Sequence, residues 1–292
     1  MSVFNYINTN FINPLQSIPV QWYYSAQKSF EPLNDSKRDF HIVVSLTSFP
    51  SRFFTLHLAL KSILDQNMKP DVIFLCLTKD EVKEESELPQ SVLELKKYGL
   101  QIYFADDNLK PHNKYFYAMK LYPHSLIITV DDDNIYDKAL VGDLYSSFQK
   151  YPSAVSARRV HKIAKDKKDT ALPYSKWRYE FKKITTPSFD LLATGVGGVL
   201  YPPGLLPPET FDADRIKELC LNADDIWLKF MELKNNIPVV WAKGRRVHPL
   251  NIKRAQKITL QKNNYHKNLN DKYITNLQNY YKINLASFME VN

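Results

Sequence analysis

From residue 40 onward, short apolar runs alternate with segments of helical periodicity, and this alternation constrains the fold more than any other feature. Four runs rich in β-branched and apolar residues have the length of buried strands: 41–46, 71–77, 101–105 and 125–130. The segments between them place apolar residues at helical spacing, as Leu56, Leu60 and Ile63 do. Strands that alternate with helices predict an α/β fold with a mostly parallel sheet flanked by helices.

The second half of the chain is less regular. Its pattern predicts a helix over 138–150, strands over 153–160 and 238–241, a helix that begins after Asn222 and a last helix near 273–281. Residues 161–190 are basic and polar, which is typical of a mobile loop. Residues 1–39 show no period and predict an N-terminal extension that packs on the domain.

Composition narrows the class of protein. Hydrophobic residues make up 44% of 292, which is enough for a sizeable core and excludes disorder as the main state. The two cysteines, Cys76 and Cys220, lie in apolar stretches and predict buried free thiols, which favours a reducing compartment. Neither a secretory signal pattern nor an apolar run of membrane-spanning length is present, so we expect a soluble or peripheral cytoplasmic protein.

Polar clusters follow three of the predicted strands. Thr47 and Ser48 follow the first, residues 106–108 (Asp-Asp-Asn) follow the third, and residues 131–133 (three Asp) follow the fourth. Because ligands of open α/β sheets bind beyond the carboxyl ends of the strands, these clusters are expected to converge on one crevice.

The three adjacent aspartates are the strongest candidate for chemistry. In extended backbone Asp131 and Asp133 point the same way, so they could hold a divalent cation such as Mg²⁺ or Mn²⁺. The alternative is a solvated acidic turn before the next helix. Mutual repulsion of three carboxylates favours the metal site, since a plain turn does not need all three.

Four further candidates leave alternatives open. Asp224 and Asp225 either complement a helix start capped by Asn222 or supply a general base. Lys114 lies at the electrostatically unfavourable end of a helix, beside an anionic ligand or in solvent. The glycines of 195–198 allow close approach of a ligand but match no phosphate-binding motif. A lone His248 is more often a packing residue than a metal ligand.

Together these residues resemble the GT-A-fold glycosyltransferases, Rossmann-like enzymes, and in particular the family-2-like members that build bacterial capsule or lipopolysaccharide chains. The resemblance covers residues 41–250 and rests on five segments: VSLTSFPSRF (43–52), DNLKPHNK (107–114), IITVDDDNIY (127–136), GVGGVLYPP (195–203) and ADDIWL (223–228). The family's Gln-x-x-Arg-Trp box is absent, which argues against a processive synthase.

The resemblance implies a domain over 40–250, with a nucleotide-sugar half (40–136), an acceptor half (137–250) and a basic tail (251–292). It implies that a sugar is transferred, with inversion of its anomeric centre, from a nucleotide sugar to a saccharide or lipid-linked acceptor. The resemblance favours UDP over other nucleotides and implies Mn²⁺ or Mg²⁺ as the metal. The implied donor-binding residues are Thr47, Ser48, Arg52, Asp106, Lys114, Asp131 and Asp132. The implied acceptor-binding residues are Gly197, Gly198 and Trp227, the catalytic residues Asp225 and Asp224, and the metal ligands Asp131, Asp133 and His248.

Two other classes of protein are weighed against this one. A phosphatase of the haloacid dehalogenase type also places Asp-x-Asp after a strand, but normally after the first strand rather than the fourth. A basic module that binds nucleic acid or membrane fits the net charge of +8 but leaves the acidic cluster unexplained. Residues 243–292 hold ten Lys or Arg and two acids, so the whole surplus lies there. We expect this segment to meet an anionic membrane surface, and expect no nucleic-acid partner.

Overall fold

The computed structural model describes residues 13–244, 248–253, 255 and 269–289. The strands are β1 (Ile42–Thr47), β2 (Val72–Thr78), β3 (Leu100–Ala105), β4 (Leu126–Thr129), β5 (Asn134–Ile135), β6 (Val155–Ala157), β7 (Val160–Lys162), β8 (Leu191–Ala193), β9 (Val199–Tyr201), β10 (Val239–Trp241) and β11 (Leu250–Asn251). The helices are α1 (Asn13–Ala26), α2 (Phe53–Leu64), α3 (Gln90–Leu93), α4 (Asn113–Leu121), α5 (Leu140–Lys150), α6 (Ala213–Leu219), α7 (Asp224–Lys234) and α8 (Leu269–Tyr281).

A seven-stranded sheet in the order β10-β6-β9-β4-β1-β2-β3 forms the centre of the molecule. Strands β1 to β4 are mutually parallel, β6 is parallel to β10, and β9 runs antiparallel to its neighbours β4 and β6. Two small antiparallel sheets, β5 with β11 and β7 with β8, lie apart from it. The predicted α/β fold with a mostly parallel sheet flanked by helices is confirmed.

Both faces of the sheet are buried because the strands are apolar on both sides. In β1, Val44 and Leu46 pack with α2 and α5 on one face, whereas Val43 packs with Ala118 of α4 on the other. The chain runs outward from β1 to β2 and β3, then returns through α4 to β4 on the opposite side of β1. A crevice therefore opens between the carboxyl ends of β1 and β4, where the direction of winding reverses.

Two segments of the second half differ from the sequence prediction. The strand predicted over 153–160 is split into β6 and β7, because buried Arg158 intervenes and pairs with Asp137 at 2.7 Å. Residues 161–190, predicted as a mobile loop, contain β7, a bridge between Lys162 and Arg178, and a buried Trp177. The polar composition of this segment hid its packing.

The described part of the N-terminal extension packs on the domain through α1. The ammonium of Lys61 donates to the carbonyls of Tyr24 and Gln27, at 2.8 and 2.7 Å. The Tyr24 hydroxyl donates to Asp65 at 3.1 Å. The sequence did not predict this helix, whose pattern contains Pro19 and no charged residue.

The C-terminal segment corrects the prediction of a tail apart from the domain. Ile274 and Leu277 of α8, together with Leu285 and Met289, pack into the same core as α7. Residues 269–289 are therefore part of the folded domain. Across the residues that the structure describes, every helix is too short or too polar to cross a bilayer.

A buried ion pair on α7 generates the first prediction. Lys229 and Glu232 are almost fully buried and their charged atoms lie 3.5 Å apart. Replacing Lys229 by Met leaves the Glu232 carboxylate buried without its partner, and we expect a loss of about 3–5 kcal/mol in the free energy of unfolding. Replacing both by Met and Leu is expected to cost far less, because no charge stays buried. Urea unfolding measures both; equal losses would contradict this account.

Candidate active site

Lys114, in the first turn of α4, joins the two acidic motifs. Its ammonium lies 2.8 Å from Asp131 Oδ1 and 2.9 Å from Asp224 Oδ2, and its side chain is 6% exposed. Burial opposes the charged form, but the carboxylates of Asp131 and Asp224 hold the pKa of Lys114 well above its usual range. Residues far apart in sequence thus meet at the carboxyl edge of the sheet, as the strand-end pattern predicts.

The polar loop after β1 binds the acidic loop after β4 through hydrogen bonds and ion pairs. Ser48 Oγ donates to Asp132 Oδ2 at 2.6 Å, and the Arg52 guanidinium pairs with Asp132 and, at 3.0 Å, with Asp133. Asp132 is buried with both carboxylate oxygens used within the protein, so it fastens the two loops together. Thr47 ends β1 and donates to the Cys76 carbonyl of β2 at 2.8 Å.

The turn at 195–197 closes against this cluster. The Tyr136 hydroxyl accepts the N–H of Asp131 at 2.8 Å and donates to the Val196 carbonyl at 3.2 Å. A Cβ on Gly195 would lie 2.7 Å from the Lys114 ammonium nitrogen and 3.3 Å from Asp225 Oδ1. Glycine at this position therefore allows the backbone to reach the charged groups.

Asp225 differs from its neighbour Asp224. Asp224 is buried and held by Lys114, whereas Asp225 is partly exposed and accepts the N–H of Gly195 at 2.9 Å. Burial and the adjacent Asp224 carboxylate raise the pKa of Asp225 to about 8. The capping alternative is weakened, because Ala223 occupies the N-cap position and the Asn222 amide bonds the Tyr273 hydroxyl.

Negative charge exceeds positive charge in this cluster. Among the described residues, ion pairs join four carboxylates (Asp131, Asp132, Asp133 and Asp224) to two cations (Arg52 and Lys114), and the charge of a fifth carboxylate, Asp225, also acts on Lys114. Burial, opposed by Arg52, raises the pKa of Asp133 to about 7, as expected of a carboxylate that is incompletely compensated. Such a surplus fits a divalent cation, which commonly takes one or two protein carboxylates and completes its shell with substrate phosphate and water.

His248 does not join this cluster. Its Nδ1 atom lies 3.1 Å from the Pro249 carbonyl, and Arg159 and Glu180 are the charged groups that affect it. Within the described ranges, no three His, Cys, Asp or Glu side chains are grouped to hold a metal ion. Metal binding by His248, like that by Asp131 and Asp133, stays a prediction.

Other residues that the sequence assigned to the site make their contacts outside this cluster. Asp106 is an exposed residue paired with Lys79 at 2.6 Å and does not approach Lys114 through any of its contacts. Trp227 is fully buried, with its indole N–H bonded to the Thr210 carbonyl, which corrects its assignment to acceptor binding. A Cβ on Gly197 would meet the backbone of Arg159, so packing explains that glycine.

Gly198 has a packing explanation as well. Its φ of +87° is unfavourable for other residues, and a Cβ there would lie 2.6 Å from Leu140 Cδ1. Acceptor contact by Gly197 and Gly198 stays a prediction.

The structure adds three residues that the sequence prediction did not assign: Gly195, Tyr136 and Tyr174. The first two lie in segments already singled out by sequence. Tyr174 comes from the segment predicted as a loop; burial and, to a smaller extent, the charge of Asp225 raise its pKa. It packs against Trp177 in a tilted arrangement and against Tyr179 edge to face, with ring centroids 4.8 and 5.9 Å away. No local sequence signal indicates this packing.

Comparison with known proteins gives distant structural likenesses only. No protein-family model and no curated protein matches the chain. Among solved structures, TarS 1–349 of S. aureus is 17% identical with a TM-score of 0.46, over 70% of this chain and 59% of that one. TarS has also been solved with UDP-GlcNAc. This chain thus spans less than two thirds of the TarS chain.

Two further structures show the breadth of the likeness. The mannosyltransferase PcManGT from Pyrobaculum calidifontis, solved with GDP-Man and Mn²⁺, is 10% identical with a TM-score of 0.40, over 93% of this chain and 82% of that one. The UTP-bound UGPase from Acinetobacter baumannii is 11% identical with a TM-score of 0.41, over 83% and 98%. Glycosyltransferases are thus among the similar structures, and the function below is argued from the geometry of this chain.

The raised pKa of Asp225 predicts an unusual pH dependence of stability. The folded chain keeps this proton up to about pH 8, whereas an unfolded chain releases it near pH 4. Between these values rising pH favours unfolding, by at most about 1.4 kcal/mol per pH unit. Asp225→Asn removes the titrating carboxyl group. We expect this change to reduce the pH dependence of the free energy of unfolding and to raise the free energy of unfolding near pH 8. Urea unfolding in EDTA across this range measures it, with Asp106→Asn as the exposed control. A slope unchanged by Asp225→Asn would contradict the assignment.

Proposed function

We propose that this protein is a metal-dependent glycosyltransferase, which moves a sugar from a nucleoside diphosphate sugar to a hydroxyl of a saccharide or lipid-linked saccharide. One observation carries the proposal: Lys114 joins the acidic loop after β4 to the acidic pair at the start of α7. The first motif suits a cation and a diphosphate, and the second suits a proton acceptor. Because one ammonium group contacts both motifs, the geometry supports a single crevice for both functions.

The donor half of the crevice is built from the loops after β1 and β4. A diphosphate would be repelled by the acidic surplus unless positive charge is added, and Asp131 and Asp133 are placed to hold a divalent cation. When bound, that cation neutralises the charge that develops on the departing diphosphate. Arg52 and Lys114 orient the carboxylates around it and add positive charge at the same edge. The resemblance of residues 131–133 to the family motif favours UDP as the nucleotide.

The acceptor half centres on Asp225. Within the described part of the chain no side-chain cation lies at ion-pair distance from its carboxylate, and the Gly195 N–H fixes its orientation. A proton acceptor with a pKa near neutrality suits the deprotonation of a hydroxyl. The acceptor oxygen would attack the anomeric carbon, its proton would pass to Asp225, and the bond to the diphosphate would break. This single displacement inverts the anomeric centre. We place the reaction in the synthesis of a bacterial surface polysaccharide, such as capsule or lipopolysaccharide.

Donor binding is tested by thermal shift with a panel of nucleotide sugars, with and without Mn²⁺. We expect stabilisation by at least one of them that requires Mn²⁺. Asp133→Asn is expected to weaken that binding by at least about tenfold, because half of the protein's ligand set is lost. The matched control is Asp106→Asn, an acid at a neighbouring strand end that forms a surface ion pair.

Two outcomes would count against the donor site. If no nucleotide sugar stabilises the wild-type protein in the presence of Mn²⁺, the proposed activity is contradicted. Release of inorganic phosphate from sugar phosphates by the same preparation would favour the phosphatase class instead.

The role of Asp225 is tested by separating transfer from donor binding. Asp225→Asn keeps the size of the side chain and the acceptor for the Gly195 N–H. We expect transfer to fall by roughly 10²–10⁴-fold, with donor affinity changed little. Calorimetric donor titration and a product assay measure the two quantities. If Asp225→Asn instead abolishes donor binding and leaves the remaining turnover per bound donor intact, Asp225 belongs to the donor site.

We further propose that the basic C-terminal segment holds the protein at the cytoplasmic face of an anionic membrane. Of its ten Lys and Arg, six lie outside the described residues: 245, 246, 254, 257, 262 and 267. Deleting the segment from residue 255 would also remove α8 from the core, so charge must be changed without changing length.

Neutralisation of five basic residues tests the electrostatic part. Changing residues 253, 254, 257, 262 and 267 to Gln is expected to weaken binding to anionic vesicles by more than about tenfold, since each nearby cation contributes about 1 kcal/mol. The control changes five other exposed lysines to Gln: Lys83, Lys96, Lys97, Lys167 and Lys168. Equal effects of both sets in a vesicle co-sedimentation assay would show that the segment has no special role.

A further inference from the structure

The outer face of α1 is apolar and open to solvent. Leu15 is 70% exposed, Trp22 75% and Tyr23 47%. Leu15, Pro19 and Trp22 stand at helical spacing, so they form one stripe along the helix. The first 27 residues of the chain contain no charged side chain.

The packing of α1 on the domain uses its other face. Tyr24 is buried in a cluster with Leu58 of α2 and with Leu250 and Ile252 of the β11 segment. Ser17, which lies on the opposite side of the helix from Leu15, is also buried. The exposed stripe is therefore not the surface that attaches this helix to the protein.

Positive charge begins directly beside the stripe. The N–H of Lys253 lies 3.4 Å from the side-chain carbonyl of Gln21, so the chain after β11 passes next to α1. Lys253 and Lys28, just past the end of the helix, are both exposed. In sequence, residues 253–267 carry five Lys or Arg and no acid. An uncharged aromatic stripe is thus flanked by cations.

We propose that α1 is an interfacial helix that docks on an anionic bilayer, with Leu15 and Trp22 inserted among the lipids and Lys28 and Lys253 on the headgroups. Amphipathic helices with Trp and Leu on one side and cations beside them lie in the headgroup region. Trp and Tyr favour the membrane interface because their rings are amphipathic. This binding does not depend on sugar transfer, and it adds an apolar anchor to the electrostatic contact proposed above.

Charge favours a lipid surface over a second copy of the chain. In a twofold contact through α1, the two surfaces brought together would both carry these cations and the adjacent basic segment, so their net interaction is repulsive. An anionic surface complements both the apolar stripe and its flanking charge. One apolar element plus one basic segment also meets the requirement of two signals for stable membrane attachment.

The test is binding of the full-length protein to vesicles of phosphatidylcholine with about one third phosphatidylglycerol, against phosphatidylcholine alone. We expect the wild type to bind the anionic vesicles. The double variant Leu15→Gln with Trp22→Gln should bind at least about tenfold more weakly, because both inserted side chains become polar. The control is Leu121→Gln, an exposed apolar residue at the end of α4.

Depth of insertion supplies an independent readout. Of the four tryptophans, Trp177 and Trp227 are buried, Trp241 is half-buried and Trp22 is 75% exposed, so the share of quenching by lipids brominated in their acyl chains that Trp22→Phe removes reports on Trp22. We expect quenching in the wild type and its loss in Trp22→Phe, which keeps vesicle binding.

Three results would overturn the proposal. They are failure of the wild type to bind, equal binding by the double variant, and a dimer in light scattering that the double variant converts to monomer. Unchanged circular dichroism and thermal unfolding of the double variant confirm that a loss of binding is not a loss of fold. Donor binding, measured on the same samples, separates this result from any failure of the proposed transferase activity.

Discussion

The buried ammonium of Lys114 is the interaction on which the site depends. Its contacts with Asp131 and Asp224 connect α4, the loop after β4 and the start of α7. A charge in this setting is costly to desolvate, and it is tolerated because two carboxylates compensate it at short distance. Removing the ammonium would leave the buried Asp224 carboxylate without the cation that compensates it. The three elements therefore hold their relative positions through a single charged group.

That arrangement leaves the crevice with more acid than base, which is a condition that a stable fold would avoid without a use for it. The imbalance destabilises the charged forms of Asp225 and Asp133. Burial raises the pKa of Asp225 to about 8 and the pKa of Asp133 to about 7. A bound divalent cation would relieve the imbalance at one side of Lys114. At the other side, the same imbalance makes Asp225 a better proton acceptor. One electrostatic feature thus serves both halves of the proposed reaction.

Sequence alone predicted the parallel strands β1 to β4 well: β1, β2 and β4 are buried on both faces and so consist of largely apolar runs, and the edge strand β3 is a shorter, mostly apolar run. Their observed ends lie within one residue of those predicted. Parallel strands then carry the residues after β1 and β4 to the same edge, which is why Ser48 and residues 131–133 were expected to converge; Arg52 was implied only by the family resemblance. The topology supplied this information without any knowledge of individual contacts.

The remaining features depend on tertiary packing that local patterns do not record. Trp227 reads as a site residue from its motif, yet it faces the core, and Asp106 lies on the surface although it follows a strand. The ion pair of Lys114 with Asp224 joins residues more than a hundred positions apart. The sequence did not predict helix α1 because its exposed face is apolar, whereas the exposed face of a surface helix is normally polar.

The most direct test of the central claim is a crystal structure with UDP and Mn²⁺, in which anomalous scattering locates the metal. The account predicts one Mn²⁺ bound by Asp131 or Asp133 and by the diphosphate, beyond the carboxyl ends of β1 and β4. Metal and diphosphate located away from the crevice that Lys114, Arg52 and these aspartates form would contradict it.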